Sequence, residues 1–173
     1  MSKKIILVIA SNGFQHKEYY DTRDVLTQEG FEVITASDGK DRAVADDGSS
    51  VAIDKTLSEI HTFLCDGMFL IGGPGAMECL NTPLMHRLLN EMYALKKPYG
   101  AICMAPRILA KADVLRDKKV TCWNQDKKAA EIFEKSESFY SPKLVVTDDC
   151  VVTASEPAAS KMFARAIVAL YVS

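Results

Sequence analysis

The chain has 173 residues, 48% of them hydrophobic and 25% charged, with a net charge of −2. That length suits one domain, 1–173, and the near-neutral balance excludes nucleic acid or an anionic membrane as the main partner. The five cysteines are scattered and include no CxxC pair, which argues against a disulfide framework or a structural zinc site and fits a reducing cytoplasm.

Ile5 to Ala10 is a continuous apolar run, too short for a signal peptide or a membrane span, and reads as a strand buried on both faces. Ser11-Asn12-Gly13 predicts a turn, followed by a helix from Gln15 to Glu29 closed by Gly30. Phe31 to Ala36 is a second strand, and Asp38-Gly39 and Asp46-Asp47-Gly48 are turns around short extended pieces such as Val51 to Ile53. A brief helix is expected at Thr56 to Ile60, then a strand at Met68 to Ile71 broken by Gly72-Gly73-Pro74-Gly75. Helical patterns follow from Ala76 and from Pro83 to Leu95. Tyr99 to Ile102 is a strand, and a helix starts beyond it with Pro106 near its first position, where the missing N–H costs nothing. Val120 to Cys122 is a strand candidate, Asp126 to Phe133 a polar helix, and Leu144 to Val146 with Val151 to Thr153 a hairpin. Pro157 to Tyr171 closes the chain as an amphipathic helix.

Strands alternating with helices predict an α/β fold with a mostly parallel central sheet, helices on both faces, and a site at the carboxyl ends of the strands. Three loops meet there: Ser11 to Glu18, Gly72 to Ala76, and the turn at Cys103. Cys103 lies between Ala101 and Ala105 on a strand-to-helix turn, where a nucleophile elbow needs small neighbours. The following helix N-terminus favours a thiolate; the competing reading is a packed core cysteine. Gly72 and Gly73 let backbone N–H groups approach a small ligand, and with the Met104 N–H they form a candidate oxyanion hole. The glycine turn lacks both phosphate-loop and dinucleotide spacing. Glu18 complements the first turn of its helix, and beside a reactive thiol it would share a proton with it. All three histidines precede Cys103, so a Cys-His-Glu glutaminase is excluded by chain order. His16 alone is retained as a pocket candidate. No metal-ligand spacing occurs, so no metal is expected.

These features resemble the DJ/ThiJ/PfpI superfamily. The matching pieces are Lys4 to Ala10, Glu18 with Asp24-Val25-Leu26, Glu29 to Val33, Asp66 to Gly75, Ala101-Ile102-Cys103-Met104-Ala105-Pro106 and Val151 to Ser155. The resemblance implies a glutamine amidotransferase-like, flavodoxin-like three-layer sandwich without the Cys-His dyad, assembled as a homodimer or higher homo-oligomer. It implies Cys103 as nucleophile, Glu18 as its proton partner, and Gly73 with Met104 as oxyanion donors. Met104 stands where the peptidase-like branch carries His, and Thr121-Cys122-Trp123-Asn124 occupies a stretch in which the stress-response branch often has one. Thr153-Ala154-Ser155-Glu156 replaces the family's Thr-Ser-Arg, an anion for a cation. Trp123 and Glu156 are therefore further pocket candidates. The resulting expectation is a cytoplasmic cysteine enzyme acting on small reactive carbonyls, glyoxalase III-like or deglycase-like, without a cofactor and without nucleic-acid or membrane partners. A redox sensor or chaperone using an oxidisable Cys103 is the first alternative, and an amidase- or peptidase-like hydrolase the second.

Overall fold

The apolar run at the start becomes the middle of a seven-stranded sheet in the computed structural model, which describes residues 1–172. In chain order the elements are β1 (Lys4–Ile9), β2 (Asn12–Phe14), α1 (His16–Gln28), β3 (Glu32–Ser37), β4 (Arg42–Ala45), β5 (Ser50–Ala52) and β6 (Lys55–Thr56). They continue with β7 (Gly67–Leu70), α2 (Ala76–Leu80), α3 (Pro83–Ala94), β8 (Tyr99–Ile102), α4 (Pro106–Lys111) and β9 (Lys119–Val120). The last are α5 (Ala129–Lys135), β10 (Phe139–Tyr140), β11 (Val145–Asp148), β12 (Val151–Ala154) and α6 (Ser160–Ala169).

The sheet order is β11-β12-β8-β7-β1-β3-β6, with every pairing parallel except the β11/β12 hairpin. Ile5, Leu7, Val8 and Ile9 are fully buried, as a strand covered on both faces requires. α1 packs with α6, and α3 and α4 pack together against β8. This is the three-layer α/β arrangement with a mostly parallel sheet. Among the described residues no helix is long and apolar enough to cross a membrane.

Several expectations shift. Asn12-Gly13, read as a turn, is part of β2, because its neighbours find partners in a small β2-β4-β5 sheet: Val44 N–H donates to Ser11 O and Asp46 N–H to Phe14 O. The helix expected at Thr56 to Ile60 shortens to a single 3-10 turn, Leu57–Glu59, with Thr56 and Glu59 forming a capping box. The polar helix begins at Ala129 rather than Asp126, because Lys127 has φ 58° and the Asp126 carboxylate is drawn to Arg107. The strand at Val120 to Cys122 ends at Val120 and pairs with β10, freeing residues 121–124 to run past Cys103.

Candidate active site at the Cys103 elbow

Cys103 follows the last residue of β8 with φ 62°, the left-handed region that costs a residue with a Cβ about 1–2 kcal/mol. The chain holds it there from both sides: its N–H donates to Ala154 O (2.9 Å) and its carbonyl accepts from Trp123 N–H (2.8 Å). Ala101 and Ala105 are fully buried, so strand and helix cross beneath the side chain without obstruction. The Sγ end is turned toward Glu18, on the first turn of α1, whose N-cap is Gln15: Gln15 Oε1 accepts from the Glu18 N–H (2.7 Å).

Glu18 is fully buried. Its Oε2 accepts the Gly72 N–H at 2.8 Å, Oε1 has no hydrogen-bond partner among the described residues, and the Cys103 thiol lies beside the carboxyl. Gly72 is required by this closeness: a Cβ there would lie 2.8 Å from Cys103 Cβ and 2.9 Å from Glu18 Oε2. Burial pushes the Glu18 carboxyl up to about 7, against the Gly72 and Cys103 hydrogen bonds that favour its charge. Burial, and then the adjacent Glu18 charge, push the Cys103 thiol up, with only the Met104 N–H working the other way. The expected thiolate-favouring effect of the helix end is thus outweighed, since α4 has only six residues and the thiol is desolvated beside an acid.

Gly72 does not serve as an oxyanion donor, because its N–H is already taken by Glu18. The Gly73 and Met104 N–H groups donate to no oxygen among the described residues, and that of Met104 is turned to the Cys103 thiol. The three histidines are engaged elsewhere. His16 Nδ1 is 2.7 Å from Asp46 Oδ1, His86 Nε2 bonds Asn81 Oδ1 at 2.8 Å, and His61 packs toward Phe63. His16 is raised in pKa by its bond to Asp46, a carboxylate whose charge also reaches Glu18. His16, Asp46 and Asp47 carry ligand-type atoms within 4.8 Å of one another, a grouping hidden in sequence by about thirty intervening residues; the direct His16–Asp46 bond accounts for two of them without an ion.

Trp123 and Glu156 do come together, on a cavity of about 230 Å³ that also takes in Cys122, Asn124 and Ser155 beside the elbow. Sequence reasoning missed what anchors that wall. Arg107, one residue beyond Pro106, is buried with its guanidinium forked onto Asp126 (2.8 Å on both arms) and bonded to Trp123 O (2.9 Å), 5.6 Å from the Trp123 ring centroid. The guanidinium holds the Asp126 carboxyl down at about 2. The only signal was an arginine in the first turn of a helix, where its charge opposes the macrodipole and needs another reason to be present. Arg107→Met is expected to lower stability by about 2–3 kcal/mol, less than a fully buried pair because Asp126 can rehydrate, and chemical denaturation checks it.

The fold and site together define a class: a parallel sheet covered on both faces, carrying a strained cysteine over a buried glutamate, with no histidine attending the thiol. The chain belongs to the DJ-1/PfpI family, whose model matches residues 3–170. It is 30% identical over 159 residues to protein/nucleic acid deglycase 2 of Escherichia coli, covering 91% of each chain. It is 26% identical over 167 residues to the glutathione-independent glyoxalase DJR-1.2 of Caenorhabditis elegans, covering 96% of this chain and 87% of that one. The fold matches the ThiJ/PfpI domain protein of Brachyspira murdochii with a TM-score of 0.92 at 24% identity, over 99% of both chains.

Proposed function

We propose that the protein is a cysteine-dependent enzyme acting on small reactive carbonyls, of the glyoxalase or deglycase type. The observation that carries this reading is the Cys103–Glu18 pair: a strained, nearly buried thiol beside a buried carboxyl, with the three histidines bonded or packed elsewhere. A thiol activated only by a carboxylate suits a substrate that is already a strong electrophile, such as a 2-oxoaldehyde. An amide, whose leaving group must be protonated, is poorly served.

Cys103 Sγ adds to the aldehyde carbon while its proton passes to Glu18, giving a hemithioacetal. The developing oxyanion faces the Gly73 and Met104 N–H groups. Glu18 then moves protons between the former aldehyde carbon and its neighbour, and water hydrolyses the resulting thioester to the 2-hydroxy acid. A deglycase would use the same addition on the carbonyl carbon of an early glycation adduct. The deglycase and glyoxalase names of the relatives support this range of substrates. Trp123 and Glu156 are inferred to contact the substrate, and Glu156 would disfavour anionic ones. The test is conversion of methylglyoxal to lactate without added thiol. Wild type is expected to turn it over and Cys103→Ala to match buffer; equal rates in the two would discard the proposal.

A further inference from the structure

Of the buried cysteines, one stands beside the elbow. Cys65 packs against Met92 and the Thr62 carbonyl, remote from Cys103 in the sheet, whereas Cys122 is on the strip of chain that crosses it. The Trp123 N–H to Cys103 O bond of 2.8 Å sets the two segments side by side at the spacing of adjacent strands, about 5 Å. Cys122, one residue away, therefore has its backbone beside that of Cys103, and its Sγ lies 3.1 Å from the Trp123 carbonyl on the same strip, the proximity from which a disulfide can form once the side chains rotate toward each other.

We propose that Cys122 is the resolving thiol for Cys103: a hydroperoxide oxidises Cys103 to the sulfenic acid, and Cys122 condenses with it into an intramolecular disulfide.

Three further features favour this. The guanidinium of Arg107 lies against Cys122 and partly offsets the burial that pushes its thiol up, and the Arg107 Nε is buried without a hydrogen-bond partner among the described residues. The Cys122 charge is felt at Cys103. Cys122 also borders the cavity of about 230 Å³ next to Trp123 and Glu156, so its side of the strip is open to a small thiol reductant.

The chemistry balances with the peroxide as sole oxidant. Cys103 thiolate attacks one peroxide oxygen, the O–O bond breaks, and the departing oxygen takes a proton from Glu18 to leave as water or alcohol. The Cys122 thiol then attacks the Cys103 sulfur as it gives up its proton; the S–O bond breaks and the departing hydroxide takes that proton to leave as a second water. Two thiols lose two electrons in all and the peroxide gains them. The disulfide halts oxidation short of the sulfinate, and a thiol reductant reverses it. Carbonyl chemistry at the same cysteine would then be switched off and recovered, rather than lost.

The experiment is stepwise addition of hydrogen peroxide to the full chain, followed by intact-mass and peptide analysis, with methylglyoxal turnover of the reduced protein measured separately. Wild type is expected to lose two hydrogens, to yield a peptide joining Cys103 to Cys122, and to regain its prior state with dithiothreitol. Cys122→Ser, with Cys122→Ala as a second variant should the first fold poorly, is expected to gain two oxygens on Cys103 irreversibly. Wild type gaining two oxygens on Cys103 as readily as the variants would overturn the proposal, as would a disulfide to any other cysteine or an unmodified Cys103. Because turnover of the reduced protein is read independently, failure here leaves the carbonyl reading standing or falling on its own result.

Discussion

Glu18→Gln is expected to cut turnover of a 2-oxoaldehyde at neutral pH by about 10²-fold or more, and to move the rise of the pH profile from near 7 to above 9. In the proposed mechanism the productive state has Glu18 charged and Cys103 still protonated, so that the carboxylate can take the thiol proton as sulfur adds. With the carboxyl at about 7, that state fills as pH rises through neutrality. Glutamine keeps the Gly72 contact through its carbonyl oxygen but accepts no proton. Cys103 must then ionise unaided from a buried position, and its thiolate is scarce below about 9. A variant profile that still rises near 7 would remove Glu18 from the mechanism.

The same substitution carries a stability signature of definite sign. The folded-state value of Glu18 lies above its unfolded value of 4.5, so its neutral form favours the fold. That contribution is fully present below about 4.5 and is lost as pH rises through about 7, because the unfolded chain ionises first. The rise to about 7 corresponds to about 3 kcal/mol, and the group is buried enough for that to count. Wild type is expected to lose up to that amount between about pH 4.5 and 8 relative to Glu18→Gln, read from urea midpoints at each pH. Parallel curves would mean the carboxyl is not held neutral.

What the sequence made legible were the local devices. Small residues around Cys103, Pro106 behind it, Gly30 after α1 and Pro83 at the start of α3 each constrain a few adjacent dihedrals, and the structure follows them. The site is different, because its bonds join residues far apart: Glu18 to Gly72 across 54 positions, His16 to Asp46 across 30, Arg107 to Asp126 across 19. No periodicity encodes those distances. Glu18 was reachable through the family pattern, but Arg107, Asp126 and Asp46 carry no local mark beyond being charged. The thiolate expected at Cys103 from its helix end fails for the same reason. A helix end is visible in sequence, whereas the burial and the neighbouring carboxyl that overrule it exist only once the sheet has assembled.

Gly73→Ala is expected to destabilise the protein by about 3–5 kcal/mol and to lower turnover more than tenfold, a larger effect than Gly30→Ala, for which about 1–2 kcal/mol is expected. The comparison separates two costs. Gly30 has φ +86° with nothing within 4 Å of the position a Cβ would take, so alanine there meets only the backbone penalty. Gly73 has φ +122°, and its Cβ would fall 2.5 Å from both Gln15 N and Gly13 O and 2.8 Å from Phe14 C. All three are backbone atoms, and they are tied down: Gln15 N–H donates to Gly72 O (2.9 Å) and Gly75 N–H to Gly13 O (3.0 Å). Relief requires Gln15 to move, and Gln15 is the cap that fixes the first turn carrying Glu18. The methyl would therefore displace the proton partner of Cys103 as well as crowd the loop, which couples the stability loss to the loss of activity. Urea denaturation of both variants with turnover measured alongside decides it; a Gly73→Ala cost no greater than that of Gly30→Ala would show that the loop yields freely and does not hold Glu18 in register.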